Sequence, residues 1–239
     1  MLSVVIPTLN AQGSLEHSLA ALVPAAVDGI VREVIVVDAG SMDRTRDIAE
    51  NAGATLVMCE AGRGRQLALG ASRARFAWML FLHTDTVLEP GWEREAATFI
   101  ERAGTGSRSM AAAFRFALND VGLRPRVVEH LVGLRCTLLR LPYGDQGLLI
   151  PKSLYQDIGG YRPLPLMEDV DLVRRLGRRR IGFLRARAVT SAERYRRDGY
   201  VRRAARNLVC LVLYFLRVPL TVVLRVYEST PRRQSPGNG

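Results

Sequence analysis

Apolar residues in this chain fall in short runs, and most runs break off in a polar cluster. Residues 2–6, 33–37, 55–58 and 78–82 are nearly all aliphatic or aromatic, as strands buried on both faces are. Between them, apolar positions recur at helical spacing: through Leu15, Leu19 and Leu22, then over 43–51 and 65–75. Strand–helix alternation of this kind predicts an α/β fold, Rossmann-like, with a mostly parallel sheet and helices on both faces. The second half reads as a helix from Pro90 to about 102, a strand over 110–118, a helix over 125–139 and a strand over 146–150. Gly159-Gly160 forces a turn, and Pro163 and Pro165 keep the next segment irregular. A helix is predicted to begin near Glu168, followed by two short strands over 181–184 and 188–190. The last long element, 199–227, is basic first and strongly apolar later.

The polar clusters at the strand ends are where chemistry is expected, because open α/β sheets bind ligands at the carboxyl edge. The fourth strand ends in Leu80-Phe81-Leu82-His83-Thr84-Asp85-Thr86. Asp85 there is a polar turn residue or a ligand for a hard divalent cation. Asp38 ends the second strand; it caps a turn or accepts from a base or ribose. Gly62-Arg63-Gly64-Arg65-Gln66 opens the third helix, where an N-terminus favours an anion. It lacks the Lys-Ser/Thr of a Walker loop. Tyr143-Gly144-Asp145-Gln146 is a tight turn or an acceptor contact. Met167-Glu168-Asp169-Val170-Asp171 sets three carboxylates at a helix start, where the macrodipole favours them. Crowding would also raise one pKa toward that of a general base.

With 239 residues and 48% hydrophobic content, the chain can bury a full core. No linker, repeat or low-complexity segment divides it. The expected organisation is a domain over 1–190, with a nucleotide-binding half (1–103) and an acceptor half (104–190), then a helical extension over 191–227 and a disordered tail over 228–239. Three scattered cysteines, Cys59, Cys136 and Cys210, suit reduced thiols. No signal-peptide pattern opens the sequence, so a cytoplasmic protein is expected, with the inner membrane face as an option. The formal charge of +11 comes almost wholly from arginine, which suits bidentate contact with phosphates. Charge alone leaves nucleic acid, an anionic membrane and a phosphorylated substrate open.

In order along the chain, Val5-Ile6-Pro7-Thr8-Leu9-Asn10, Val36-Val37-Asp38-Ala39-Gly40-Ser41-Met42-Asp43-Arg44-Thr45, Phe81-Leu82-His83-Thr84-Asp85, Gly159-Gly160-Tyr161 and Met167-Glu168-Asp169 resemble a family 2 glycosyltransferase with the GT-A fold. The resemblance covers about residues 1 to 190. Gly62-Arg63-Gly64-Arg65-Gln66 and Pro142-Tyr143-Gly144-Asp145-Gln146-Gly147 are similar to a subgroup of small, single-domain bacterial members. The resemblance implies an inverting transfer, a hexosyl transfer in the first instance, from a UDP- or GDP-sugar to an acceptor hydroxyl. Manganese or magnesium is the implied metal, and no nucleic acid is involved. Pro7, Thr8 and Asn10 would line the nucleotide pocket, Asp38 would meet the base, and Arg63 or Arg65 the base or diphosphate. His83 and Thr84 would adjoin the donor and Asp85 would hold the metal. Asp169 would be the catalytic base beside Glu168, with Tyr143, Asp145 and Gln146 toward the acceptor. His83 stands where the family usually has an aspartate, which leaves the first metal or ribose contact open.

Two other readings compete. A sugar-nucleotidyltransferase has a related sheet, but usually carries a Gly-rich basic loop after its first strand. A non-catalytic basic protein binding nucleic acid or membrane leaves the strand-end carboxylates unexplained. Arg194 and Arg196, after the last predicted strand, would close over the donor diphosphate or belong to a solvated loop. The apolar stretch 208–225, led by arginines and broken by Arg217 and Pro219, has three homes: an anionic membrane interface with a lipid-linked acceptor, the core, or a homodimer partner.

Overall fold

The computed structural model describes residues 1–105 and 109–228, so the predicted tail lies, beyond Glu228, outside the described residues. The chain divides into two compact units, Met1–Ala192 and a second beginning at Glu193.

The first unit opens with β1 (Leu2–Thr8), α1 (Leu15–Ala20), α2 (Val23–Val27), β2 (Val31–Asp38), α3 (Thr45–Asn51), β3 (Thr55–Met58), α4 (Arg63–Arg73) and β4 (Trp78–Phe81). It continues with β5 (Thr86–Leu88), α5 (Trp92–Thr105), β6 (Ala111–Asn119), α6 (Leu123–Leu139) and β7 (Leu148–Pro151). It closes with α7 (Lys152–Asp157), α8 (Glu168–Leu176) and β8 (Ile181–Ser191). One eight-stranded sheet runs β3-β2-β1-β4-β7-β6-β8-β5. Pairings among β3, β2, β1 and β4, and between β6 and β8, are parallel; β7 and β5 pair antiparallel to their neighbours. The predicted mostly parallel sheet is therefore present. The apolar residues of β1, β2 and β4 form its dry centre, with Leu2, Val4, Ile6, Val36 and Leu80 fully buried.

This topology brings distant segments to one edge. Phe81 pairs with Leu148 across the antiparallel β4–β7 ladder. The start of β7 therefore meets the end of β4, and the turn before β7 joins the strand-end loops. The end of β8 arrives there as well, because β8 runs parallel to β6.

Three sequence expectations need correction. The two strands at 181–184 and 188–190 are one 11-residue strand, β8. Arg185 and Arg187 are exposed between buried Leu184 and Ala188, and the pairing with β6 shifts register there, Ala113 facing Phe183 and Arg115 facing Arg187, an irregularity within one strand. The segments 86–88 and 152–157, not predicted as elements, form β5 and α7. The long element at 199–227 is two helices, α10 (Tyr200–Phe215) and α11 (Leu220–Glu228), preceded by α9 (Glu193–Asp198). Arg217 turns left-handed at φ 59°, and Pro219 follows, where a helix cannot continue.

Within this second unit, buried Asp198 accepts from Arg197 Nε at 3.0 Å and from Arg203 at 3.2 Å, and also pairs with Arg206. Arg203 in turn donates to the Tyr227 hydroxyl at 2.7 Å, tying α10 to α11. Leu208, Val212, Phe215 and Leu216 remain exposed. Among the described residues no helix is long and apolar enough to cross a membrane.

Candidate active site

At the end of β2, Asp38 is wholly buried. One oxygen accepts from Thr8 Oγ1 at 2.9 Å and from the Ser41 hydroxyl. The other accepts from the Gly40 and Ser41 amides at 3.1 and 2.8 Å and from Arg46 Nε at 3.1 Å. Burial alone would raise its pKa, but these bonds outweigh it and hold the carboxyl below the usual range. As placed, Asp38 has no exposed oxygen to offer a base; its bonds shape the loop at Gly40 and Ser41. Asn10 sits left-handed at φ 50°. Its amide donates to Ser41 Oγ at 2.8 Å, and its side-chain oxygen accepts from the Met42 amide at 3.0 Å. The loops after β1 and β2 are thereby locked together.

The glycines of the Arg-rich segment answer to packing. A Cβ on Gly64 would lie 2.2 Å from the Arg162 carbonyl, so only glycine lets α4 press against that loop. Gln66, buried, donates to the Thr8 and Val37 carbonyls at 2.9 and 2.8 Å, joining α4 to the ends of β1 and β2. Arg63 reaches Glu168 at 3.4 Å. Arg65 instead pairs with exposed Glu60, so of the two candidate arginines it is Arg63 that faces the carboxylates.

The backbone after β4 is pinned from two sides. Ser18 Oγ donates to the Thr84 and Thr86 carbonyls at 2.6 and 3.0 Å, and the Ser191 amide donates to the Asp85 carbonyl at 3.0 Å. Thr190, at the end of β8, bonds the Thr86 hydroxyl at 2.9 Å and donates to the Asp145 carbonyl at 3.1 Å. Residues 83–86, the Tyr143–Gln146 turn and the end of β8 thus form one rim.

Asp169, in the first turn of α8, meets this rim. Its Oδ2 accepts from the Gly144 amide at 2.7 Å and its Oδ1 from Val170 N at 2.7 Å. A Cβ on Gly144 would lie 2.6 Å from His83 Nε2 and 3.4 Å from Asp169 Oδ2. The imidazole tip and the carboxylate therefore flank the same point. Met167 holds the preceding turn in a left-handed conformation at φ 63°, a strained choice for a side chain without a local hydrogen-bonding group.

Asp145 Oδ1 is buried with no hydrogen-bond partner. Burial pushes its pKa up to about 6; Arg135 opposes this, and the charges of Asp169 and Asp85 add to it. Buried Glu168 is also raised, by burial and by Asp169, against the pull of Arg63. Tyr143 is pushed up to about 12, chiefly by burial. The Arg135 guanidinium stacks 3.5 Å from the centre of its ring. Gln146, expected toward the acceptor, points inward. It is buried, donates to the Phe114 carbonyl at 3.0 Å and accepts from Arg135 at 3.1 Å and Tyr143 N at 3.3 Å. Asp171, the third carboxylate of its cluster, is paired with Arg175 at 2.7 Å and serves the turn around Gly160.

Sequence reasoning missed Gln66, Arg135 and Thr190 as positioning residues. The sequence carried little signal for them beyond Gln66 closing its motif: Gln66 and Thr190 act on groups far away in the chain, and Arg135 on a turn that folds back onto its helix. Arg194 and Arg196 lie on α9, in the second unit.

Residues 3–147 match the family described as glycosyl transferase family 2. PGL/p-HBAD biosynthesis glycosyltransferases of Mycobacterium bovis and Mycobacterium tuberculosis are 36% identical over 101 residues, a match covering 37% of this chain and 36% of theirs. The chain thus spans about a third of the length of those curated relatives. Among solved structures, glucosyl-3-phosphoglycerate synthase from M. tuberculosis, in complex with Mn2+, UDP and glucosyl-3-phosphoglycerate, superposes with TM-score 0.59 at 20% identity, over 92% of this chain and 81% of that one. S. aureus TarS 1-349 superposes with TM-score 0.60 at 17% identity, over 95% of this chain and 69% of that one. The family match spans more than half of the chain, and the sheet has the architecture of these GT-A enzymes: the chain belongs to glycosyl transferase family 2.

Proposed function

We propose that this protein transfers a sugar, with inversion, from a nucleoside diphosphate-sugar to an acceptor hydroxyl. The observation that carries the reading is the convergence of Asp169, Glu168 and Arg63 with the Gly144 and His83 rim at the carboxyl edge of the sheet. UDP is the favoured nucleotide, since the synthase neighbours are complexes with UDP. A hexose is the favoured sugar. The half up to residue 103 would bind the nucleotide, with Pro7, Thr8 and Asn10 around the base, and residues 104–190 would face the acceptor. Tyr143 and Asp145 supply that face.

Asp169 is the proposed base. The Gly144 amide fixes its Oδ2, so the carboxylate is oriented before substrate arrives. It would take the acceptor proton as that oxygen attacks the anomeric carbon opposite the leaving diphosphate. One displacement inverts the centre and needs no covalent nucleophile. Glu168, held by Arg63, and Asp145 would stand beside it as further carboxyl groups.

The residues present fit a divalent cation of the Mn2+ or Mg2+ type. Among the described residues no three His, Cys, Asp or Glu side chains form a cage. Small hard cations are commonly held by one or two carboxylates together with substrate phosphates. Asp85 would supply that carboxylate, with His83 beside it. When bound, the cation would neutralise charge on the departing diphosphate.

A panel of nucleotide-sugars incubated with the protein and Mn2+ tests the reading, with proton NMR following the released sugar. The expected result is metal-dependent release of nucleoside diphosphate from one donor, with the first-formed anomer opposite to that of the donor. Release with retained configuration, or turnover of nucleoside triphosphates alone, would overturn it.

A further inference from the structure

Helix α6 is apolar on two faces. Pro125, Val128 and Cys136 are buried on the side that packs against β6. On the other side, Leu123, Val127, Leu131, Leu134 and Leu138 are 79, 49, 53, 48 and 57% exposed. At 100° per residue these five side chains fall within an arc of about 80° and run about 22 Å along the helix. A surface helix of a soluble protein turns polar residues outward, and contiguous exposed apolar area marks an interaction site.

The charge around this stripe is mainly basic, Asp120 just before the helix being the exception. The sole acidic residue of α6, Glu129, is taken up by the Leu118 amide at 2.8 Å and by Arg126. At the far end of the stripe, Arg140, Arg178 and Arg179 line an open hollow with Met110 and Ile181. Arg178 donates to the Leu138 carbonyl, which ties the hollow to the last leucine of the row. Among the described residues none of the three arginines makes an ion pair.

We infer that α6 docks on the surface of a bilayer containing anionic lipids. The helix would lie in the membrane plane, with its five aliphatic side chains at the headgroup–acyl boundary and the arginine hollow on lipid phosphates. This assignment concerns a different segment from the apolar C-terminal helices. It does not depend on the proposed reaction. It has a consequence for the site, since Arg135 of the same helix stacks on Tyr143 and would couple the docked helix to the acceptor side.

Flotation of the full chain with vesicles tests it. One set is phosphatidylcholine containing about a third phosphatidylglycerol, the other phosphatidylcholine alone. Two variants accompany the wild type: Leu131→Ser with Leu138→Ser, and Arg140→Gln with Arg179→Gln. All four positions are exposed, and an unchanged circular-dichroism melt confirms the fold. The wild type should float with the anionic vesicles only, and each variant should bind about ten-fold less or weaker still. Equal flotation of wild type and variants, or none by the wild type, would overturn the inference. So would a lipid-free dimer that the leucine variant converts to monomer, because a second copy would then cover the stripe.

Discussion

Replacing Asp38 by asparagine separates two roles that its position at a strand end allows. In the structure, its oxygens accept from two hydroxyls, two backbone amides and Arg46, and the side chain is fully buried. Asparagine keeps one acceptor oxygen. If that oxygen faces Gly40 and Ser41, its NH2 group faces the Thr8 and Ser41 hydroxyls, which can rotate to accept. The bond count largely survives and the charge is lost. Hydrogen bonds to a charged group contribute about 1 kcal/mol more than neutral ones, so the two backbone bonds lose about 2 kcal/mol together. Arg46 is 42% exposed, so solvent screening limits its share to under about 1 kcal/mol. The expected destabilisation is about 2–3 kcal/mol, read by urea unfolding at neutral pH with Trp78 and Trp92 as fluorophores. UDP affinity should fall only as far as the loop loosens. A variant as stable as wild type that has lost UDP binding would refute this reasoning and make Asp38 a direct ligand of the base.

Asp169→Asn should keep donor affinity and lose transfer by about 100-fold or more, the scale of a general base; single-turnover kinetics with saturating donor would show this, and unimpaired transfer would move the role to Glu168 or Asp145. Gly144→Ala should fold normally, since its neighbour at 2.6 Å is the movable His83 ring. Its donor turnover should nonetheless drop by about 100-fold, because misplacement by an ångström is costly in a reacting site; wild-type turnover would contradict that. Asp198, held down to about 2 by its arginines against the effect of burial, has a depressed folded-state pKa. Its contribution is full above about pH 4 and lost as pH falls toward 2, about 2 kcal/mol in all. The stability gap between wild type and Asp198→Asn should shrink over that window, and a pH-independent gap would contradict the assignment.

What the sequence made legible was the part governed by local pattern. Strands β1, β2 and β4 are short apolar runs because both faces are covered, whereas β3 at the sheet edge is half-exposed. The polar residues that end these runs, Thr8, Asp38 and Asp85, were legible by simple termination, but Thr8 and Asp38 proved buried. The glycines at 62 and 64 were visible, but the reason for Gly64 lies in the Arg162 carbonyl, about a hundred residues away. Gln66 and Thr190 were hidden likewise, by partners at Thr8, Val37, Thr86 and Asp145, and Arg135 by the turn that brings Tyr143 and Gln146 back onto its helix. Gln146 looked available to an acceptor, whereas bonds to distant Phe114 and to nearby Arg135, Cys136 and Tyr143 hold it inside. Strand β5 is three residues long and owes its existence to β8, so no local period could announce it. The exposed leucines of α6 were read simply as part of a helical pattern; only burial separates the face on β6 from the face in solvent.

The central claim is a nucleotide-sugar site whose metal is held by Asp85, and donor binding tests it without knowledge of the acceptor. Isothermal titration of UDP into the full chain should give saturable binding with Mn2+ present and little with EDTA. In Asp85→Asn, with an unchanged melting temperature, the Mn2+-dependent part should vanish. UDP binding of equal strength in EDTA, or in the Asp85 variant, would contradict the account.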